Sequence, residues 1–406
     1  MRLLFHCQIL KKSRLFVLMK EGGFGHTVTG PDVARRLFPD KRVTFIILSE
    51  TRRHNRKVSK IWPDLHVIFL PIYSTIYIGN HPFILPNSDR FRKIISHLVI
   101  GLINRMINPA AEILFLEDLY ERILGQDLLR AAVPHLSLGY RWPMAYFKLQ
   151  ARVKAPKLKV PSKQESVMRT KLKKVRYFAK CKGFCCLYLR QKDAGSKEIA
   201  SSSRVGSSLE NYLTSVEALN QLEYQVLLVG DVSLSRTIRD KFKGMFVDAK
   251  SLNVHSDWFH LFAATEADIF IGESGGGIWV PEINEIPMLC VNAFPYYYGL
   301  PRAWMFYKMI RDRTNQLVPY HKLFSDHPYD YEFKEMTVCS NTESQIYFAV
   351  TCFLEDISRK EGVDSNPSVM NQIPENTWVK QANSRLSPAW LQWYENELNV
   401  RTKNTK

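Results

Sequence analysis

The chain of 406 residues, 46% hydrophobic and 12% aromatic, is long enough for two folded domains and too apolar for a disordered protein. Its formal net charge of +17 indicates an anionic partner. The chain lacks the short motifs of nucleic-acid-binding proteins and interleaves no stacking platform with its basic residues, so we expect no nucleic-acid partner.

The start of the chain alternates strands with helical segments. Apolar strands are predicted at residues 15–19, 43–48 and 67–70, with a glycine turn and a helix between the first two. Strands that alternate with helices are typical of βαβ units with a parallel sheet. We therefore predict a Rossmann-like N-terminal domain over residues 1–160.

The glycine turn after the first strand, EGGFGHTVTG, carries the first candidates for chemistry. Its glycines Gly22, Gly23 and Gly25 let the main chain approach a ligand closely. His26 follows them, and its imidazole could act as a general base or could instead cap the helix. Glu21 is the second candidate base, since a partly desolvated carboxylate can also accept a proton.

A strongly basic stretch separates the two halves of the chain. Residues 152–182 contain twelve Lys or Arg residues and one acid, Glu165. Such a run is typical of a solvated linker. We place this linker at residues 161–183.

The second half repeats the alternation of strands and helices. Strands are predicted at 185–189, 225–229 and 245–247, and the unit ADIFIGESGGGIWVPEINEIPMLCVNA then predicts a strand, a turn, a helix and a strand. We predict a second Rossmann-like domain at residues 184–345 and a partly flexible helical segment at 346–406. The predicted fold class is α/β, with two Rossmann-like domains facing a cleft.

The turn in this unit predicts a phosphate site. A strand that leads through a glycine turn into a helix presents free main-chain N–H groups, and the start of a helix attracts anions. The alternative is that the glycines serve only the tight turn, through positive φ angles. The residues of the turn are Glu273, Ser274, Gly275, Gly276 and Gly277.

Further polar residues follow the neighbouring strands. Arg190 and Asp193 come at the end of the strand at 185–189, and Gly230 and Asp231 end the next strand. The carboxyl ends of parallel strands share one sheet edge, so we expect these residues to converge with the glycine turn at a donor site. Arg190 can bind phosphate oxygens with two N–H groups, or it can form a surface ion pair with Asp193.

An aromatic segment follows the last of these strands. Residues 293–308 contain seven aromatic side chains. They either form the wall of a sugar-binding pocket or fill the core.

The order of these parts resembles that of glycosyltransferases with the GT-B fold. LFAATEADIFIGESGGG is similar to the heptosyltransferase segment in which an apolar strand precedes an acidic-Ser-Gly-Pro phosphate turn, with Gly276 in place of the proline. LYLRQKD resembles the His-x-Arg-x-x-Asp motif of inverting fucosyltransferases, with Arg190 and Asp193 matching and Tyr188 replacing the histidine. SSRVGSSLENYLTSVEALN, LLVGD and NAFPYYYGLP look like segments of bacterial glycosyltransferase-like proteins, which act mostly in surface polysaccharide or glycoconjugate assembly.

The resemblance implies a transferase that needs neither metal nor cofactor. It would move a sugar from a nucleotide-diphosphate-sugar donor to a hydroxyl of a glycan or lipid-linked glycan acceptor. Arg190 and the turn would hold the departing diphosphate, and His26 or Glu21 would take the acceptor proton, since GGFGH resembles the acceptor-domain loop of GT-B enzymes. Glu273 and Glu282 lie nine positions apart, which departs from the spacing typical of retaining enzymes and favours inversion.

Two other functions fit the same pattern. One is a nucleotide-sugar epimerase on the same fold. The other is a non-catalytic glycan-binding or assembly protein, because a fold does not fix an activity.

The sequence also predicts where in the cell the protein is located. Seven cysteines, odd in number and without zinc-ligand spacing, exclude a disulfide framework and favour a reducing cytoplasm. The apolar runs at the N-terminus are too short and interrupted for a signal peptide or a spanning helix. The basic linker and the cluster of Arg52, Arg53, Arg56 and Lys57 predict a peripheral attachment to the anionic inner face of the membrane.

Overall fold

The computed structural model describes two compact units, Met1–Leu158 and Lys159–Lys406. Each unit is built on a parallel sheet with helices, which confirms the predicted α/β class. The described residues are 15–20, 24–49, 56–71, 75–78, 81–84, 101, 112–116, 119, 123, 146–147, 149–150, 152–175, 181–190, 207–232, 234, 236–294, 299–319, 336–359 and 385–404.

The first unit contains a sheet of four described strands. Its elements in chain order are β1 (Leu15–Lys20), α1 (Phe24–Leu37), β2 (Val43–Ser49), β3 (His66–Pro71), β4 (Thr75–Ile78), β5 (His81–Ile84) and β6 (Glu112–Phe115). The parallel sheet has the order β3-β2-β1-β6, and β4 pairs with β5 in an antiparallel ribbon. Residues Leu15 to Met19 of the central strand β1 are apolar and buried, as expected for a parallel strand that is covered on both faces.

The helix α1 packs closely on this sheet at Gly30, and it contains a buried ion pair between successive turns. A Cβ atom on Gly30 would lie 2.8 Å from Met19 Sδ and 2.9 Å from Leu116 Cδ2, so a larger residue would force these side chains to move. The buried Asp32 carboxylate accepts hydrogen bonds of 2.6 Å from Arg35 Nε and of 2.6 Å from Arg36 Nε. Gly30 therefore allows the close approach of α1 to the sheet, and the ion pair stabilises the helix itself.

The second unit contains a larger parallel sheet. Its elements in chain order are α2 (Ser162–Leu172), β7 (Gly183–Arg190), α3 (Leu213–Gln221), β8 (Tyr224–Asp231), α4 (Arg236–Lys241), β9 (Phe246–Val247), α5 (Ser256–Glu266), β10 (Ile269–Glu273), α6 (Trp279–Ile283), β11 (Met288–Ala293), β12 (Ala303–Tyr307), β13 (Met309–Arg311), β14 (Thr337–Cys339), α7 (Glu343–Arg359), β15 (Arg385–Leu386) and α8 (Pro388–Asn404). Seven described strands form the sheet in the order β15-β12-β11-β10-β7-β8-β9.

The order of these strands reverses once. From β7 the chain adds β8 and β9 on one side, and it then returns to the other side of β7 to add β10, β11 and β12. The carboxyl ends of β7 and β10 therefore lie side by side where the chain changes direction. Such a reversal leaves a crevice between loops that depart in opposite directions.

The basic stretch predicted as a linker contains an ordered helix, α2. Its side chains Met168 and Leu172 are buried, and Arg169 donates hydrogen bonds to Glu165 and to Glu266 at the end of α5. The two apolar residues are four positions apart and lie on one helix face. The high density of Lys and Arg in this stretch predicted a linker, and it obscured this short amphipathic pattern.

The last helix, α8, begins directly after Ser387. The main-chain oxygen of Ser387 accepts hydrogen bonds from the N–H groups of Trp390 and Leu391, so the serine precedes the first turn. Trp390 and Tyr394 are fully buried. Within the described part of the chain, no helix is long and apolar enough to span a bilayer.

Candidate functional site

The strand reversal in the second unit brings two predicted site segments together. Arg190 is the last residue of β7, and Glu273 is the last residue of β10. The two strands pair in parallel with Gly272 opposite Tyr188, so both segments leave the sheet at the same edge. The Cβ position of Gly275 lies 3.6 Å from Arg190 Cδ. The expected meeting of Arg190 with the glycine turn is thus present in the structure.

The glycines of the turn are explained by a tyrosine ring. A Cβ atom on Gly277 would lie 2.5 Å from Tyr188 Cε2, and one on Gly275 would lie 3.0 Å from the Tyr188 hydroxyl oxygen. Gly275 has an extended backbone with φ of 168°, which any residue can adopt. The space for Tyr188, rather than a positive φ angle, therefore favours glycine at 275 and requires it at 277.

The main-chain N–H groups of the turn are available to a ligand. None of the hydrogen bonds among the described residues uses the N–H groups of Gly275, Gly276 or Gly277. The turn leads into a 3-10 segment, Gly276–Ile278, and then into the five-residue helix α6. Because α6 is so short, attraction of an anion would come from these local N–H groups rather than from a long helix dipole.

Arg190 supplies a positive charge beside these N–H groups. Its side chain is partly exposed, and its guanidinium group has no hydrogen bond or ion pair with any described residue. Asp193, the ion-pair partner considered from the sequence, lies outside the described residues. A planar guanidinium and neighbouring main-chain donors form the kind of arrangement that binds phosphate oxygens.

Glu273 does not face this open part of the turn. Its side chain is buried, and its carboxylate accepts hydrogen bonds from Arg190 N (2.7 Å), Ser207 N (2.8 Å), the Tyr212 hydroxyl (2.8 Å) and Asn292 Nδ2 (3.2 Å). Burial raises the pKa of Glu273, and these hydrogen bonds act against that rise. The structure places Glu273 in a buried network and not among exposed donor contacts.

The network continues through two asparagines. Asn292, which has a positive φ of 49°, and Asn341 each donate a main-chain N–H to the other's side-chain oxygen, with both distances 2.6 Å. Asn341 Nδ2 also donates to the main-chain oxygen of Tyr307 at the end of β12. The neighbouring Lys308 is buried, which lowers its pKa to about 8, while the charge of Glu273 raises it. Polar groups thus connect the carboxyl ends of β7, β10, β11 and β12.

The remaining predicted donor residues are placed as follows. Ser274 is buried, and its hydroxyl donates to the main-chain oxygen of Phe294, so it serves the turn itself. Gly230 has φ of 104°, and a Cβ atom there would overlap the main-chain oxygen of Leu189, which explains the glycine. Asp231 ends β8 opposite Arg190. Gly230 and Asp231 therefore lie at the same sheet edge as the turn.

In the first unit, His26 also lies at a strand reversal. It is in the first turn of α1, which follows the carboxyl end of β1, and β1 separates β2 and β3 from β6. Burial lowers the pKa of His26 below its usual value of 6.5, so the neutral imidazole dominates at pH 7. A general base needs this neutral form.

Of the other predicted residues in this loop, the structure describes only Gly25. Gly25 is buried, and its main-chain oxygen accepts a hydrogen bond from the Thr29 hydroxyl. Glu21, Gly22 and Gly23 lie outside the described residues, as do Arg52 and Arg53.

The aromatic segment at 293–308 belongs to the core where it is described. Phe294, Trp304, Phe306 and Tyr307 are buried, so they do not form an open pocket wall. Among the described residues, no group of three or more His, Cys, Asp or Glu side chains could hold a metal ion.

Sequence reasoning missed the residues that support the turn. Tyr188 was seen only as a replacement for a histidine, and Ser207, Tyr212, Asn292 and Asn341 were not assigned a joint role. The position of Asn292, a polar residue at the end of an otherwise apolar strand, predicts its place at this sheet edge but not its hydrogen-bond partners. The pairing of Asn292 with Asn341 depends on folding over 49 positions.

We expect Gly277 and Tyr188 to be energetically coupled. Gly277→Ala should destabilise the wild-type protein by about 1–3 kcal/mol, because the new methyl group meets the Tyr188 ring. The same change should cost much less in a Tyr188→Ala background, where the ring is absent. Thermal unfolding of the four proteins measures the coupling, and simple addition of the two single effects would contradict this packing.

The pKa of His26 can be measured directly. Nuclear magnetic resonance titration of the imidazole should give a midpoint below 6.5, and His26→Gln identifies the signal by its loss. Burial penalises the imidazolium ion, so this residue should cost the folded state stability as the pH falls from 6.5 through the lowered pKa. A midpoint above 6.5 would contradict the described environment.

The comparisons with known proteins give structural neighbours only. No protein-family model and no curated protein matches the chain. Solved structures similar to it include a family 9 glycosyl transferase from Veillonella parvula (TM-score 0.47, 11% identity, 85% of this chain and 98% of that one). Others are the E. coli heptosyltransferase WaaC (TM-score 0.35, 9% identity, 72% and 92%) and E. coli ADP-heptose LPS heptosyltransferase II (0.36, 10%, 68% and 84%). These neighbours are glycosyltransferases, but at such scores the likeness does not decide the function of this chain.

Proposed function

We propose that this protein is a glycosyltransferase that moves a sugar from a nucleotide-diphosphate-sugar donor to an acceptor hydroxyl. One observation carries the proposal. At the strand reversal of the second unit, the Arg190 guanidinium, without a partner among the described residues, lies beside a turn whose N–H groups are also available. Such a combination suits the oxygens of a diphosphate.

The same groups suit the chemistry of the leaving group. When the bond between the anomeric carbon and the diphosphate oxygen breaks, negative charge develops on the diphosphate. Arg190 and the N–H groups of Gly275 to Gly277 would stabilise that charge more strongly in the transition state than in the bound donor. Gly230 and Asp231, at the neighbouring strand end, are proposed to face the nucleoside part of the donor, and Asp193 is proposed as a further donor contact.

We propose an inverting displacement with His26 as the base. The acceptor oxygen would form a bond to the anomeric carbon while the bond to the diphosphate breaks, and the acceptor proton would pass to the imidazole. The lowered pKa of His26 supports this role because the imidazole is unprotonated at neutral pH. Glu21 is the second candidate base. The proposed acceptor is a glycan or a lipid-linked glycan used in surface polysaccharide or glycoconjugate synthesis.

A membrane contact is proposed from charge. Exposed lysines lie on and next to α2, among them Lys163, Lys173 and Lys174, and an anionic lipid surface attracts such a cluster. Cosedimentation with vesicles containing phosphatidylserine should occur at low salt and should weaken when these three lysines are replaced by alanine. Binding that is absent at low salt, or unchanged in the variant, would contradict the contact.

Nucleotide binding tests the donor site. A panel of nucleoside diphosphates should contain one that raises the melting temperature of the wild-type protein, since a ligand at 100 times its Kd stabilises the native state by about 2.7 kcal/mol. Arg190→Ala should weaken binding at least about tenfold, because a charged hydrogen-bond donor is lost. Arg236→Ala is the matched control, because Arg236 is an exposed arginine on α4 in the same unit.

The outcomes separate the three candidate functions. Consumption of the matching nucleotide sugar only when an acceptor is present supports a transferase. Conversion of the sugar without any acceptor would support an epimerase. A protein that binds glycans but no nucleoside diphosphate at millimolar concentration would be a glycan-binding protein, and the transferase proposal would fail.

A further inference from the structure

Glu273 connects the two halves of the proposed diphosphate site. Through its own main chain it joins β10 to the glycine turn. Through its side chain it reaches the end of β7, where Oε2 accepts the main-chain N–H of Arg190 at 2.7 Å. The turn and Arg190 are thus linked by one side chain in addition to the pairing of β7 with β10.

The same carboxylate also holds a second segment. Oε1 accepts the main-chain N–H of Ser207 at 2.8 Å. Arg190 and Ser207 are the nearest described residues on either side of positions 191–206. Glu273 therefore fixes the chain at the point where it leaves β7 and again where it returns to the sheet edge.

The carboxylate has little capacity left for a ligand. Besides Ser207 N, Oε1 accepts the Tyr212 hydroxyl at 2.8 Å and Asn292 Nδ2 at 3.2 Å. Only 1% of the Glu273 surface is exposed. A carboxylate offers roughly four lone-pair sites, and this one already accepts four hydrogen bonds, three at Oε1 and one at Oε2.

Such an arrangement is costly unless it is complete. A buried carboxylate loses its hydration, and only well-placed hydrogen bonds compensate for that loss. Removing the acceptor would leave the N–H groups of Arg190 and Ser207 without a partner in a buried place. A surface glutamate that touched a ligand would not need four protein donors.

We propose that Glu273 is the positioning residue of the donor site, which holds the main chain of Arg190 so that its guanidinium stays beside the N–H groups of the turn. This inference rests on the proposed function. Glu273 would not touch the donor, and its effect on binding would act through Arg190. Without this side chain, only the pairing of β7 with β10 would hold Arg190 next to the glycine turn.

Hydrogen–deuterium exchange tests the positioning role without any ligand. In Glu273→Gln an NH2 group replaces one of the two carboxylate oxygens, and this group donates hydrogen bonds instead of accepting them. Whichever oxygen is replaced, the NH2 group must face a donor of the protein. The amides of Arg190 and Ser207 should then exchange at least about tenfold faster. Peptides from β8 and α7 should keep their wild-type rates. Glu210 is an exposed glutamate on the 3-10 segment Leu209–Tyr212. Glu210→Gln serves as the control and should change nothing.

Affinity for the nucleoside diphosphate that best stabilises the wild type provides the second measurement. Glu273→Gln should weaken it at least about tenfold, while Tyr212→Phe, which removes one of three donors to Oε1, should weaken it less than about threefold. If Glu273→Gln does not fold, Glu273→Asp replaces it, because the shorter carboxylate keeps its charge but cannot reach both Arg190 and Ser207.

The results distinguish this inference from the proposed function. Unchanged exchange at Arg190 and Ser207, or unchanged affinity in a variant with faster exchange, would overturn the positioning role while leaving the donor site intact. A wild-type protein that binds no nucleoside diphosphate would overturn the donor site itself. Faster exchange together with weaker binding would support both.

Discussion

The reversal of strand order between β7 and β10 is the constraint on which the proposed site depends. Parallel strands leave a sheet with all their carboxyl ends at one edge, and a reversal opens a crevice there. In this chain Arg190 on one strand and the glycine turn on the other lie close together at that edge. The strand order therefore determines where the proposed site lies, and the side chains at that edge determine what it can bind.

The buried polar network gives that edge a defined geometry. An apolar sheet fixes which strands are neighbours, but it does not fix the path of the loops beyond the strand ends. Here Glu273, Asn292 and Asn341 hold those ends with hydrogen bonds between side chains and main chain. Because the network is buried, each missing partner would leave an unsatisfied group, and the arrangement therefore specifies one conformation.

The ring of Tyr188 packs against the glycine turn and gives a structural reason for its glycines. The sequence allowed two reasons for them, a close approach to phosphate or a positive φ angle. The structure adds a third, since the Tyr188 ring, which stacks on Phe270 with ring centroids 6.2 Å apart, takes the place of side chains at Gly275 and Gly277. The N–H groups of the turn have no hydrogen-bond partner among the described residues, so the packing on the ring leaves them available for an anion.

Much of the fold could be predicted because its signals are local. Apolar runs such as the one in β10 and the glycines that follow it mark strands and turns within a few residues. Arg190 and the turn were expected to meet because parallel strand ends share an edge. The helix α2 was missed because two apolar residues in a run of lysines carry a weak signal.

The orientation of Glu273 could not be predicted from the sequence. An acidic residue at the head of a glycine turn suits both a ligand contact and a buried acceptor. The choice depends on Ser207, Tyr212 and Asn292, which are 66, 61 and 19 positions away along the chain. Only the folded arrangement of β7, β10 and β11 brings these donors to one carboxylate.

A crystal structure with a bound nucleoside diphosphate would test the central claim most directly. The account predicts phosphate oxygens within hydrogen-bonding distance of the N–H groups of Gly275 to Gly277 and of the Arg190 guanidinium. Glu273 should keep its four protein donors in that complex. A diphosphate bound elsewhere on the protein, with this turn and Arg190 making no contact to it, would contradict the account.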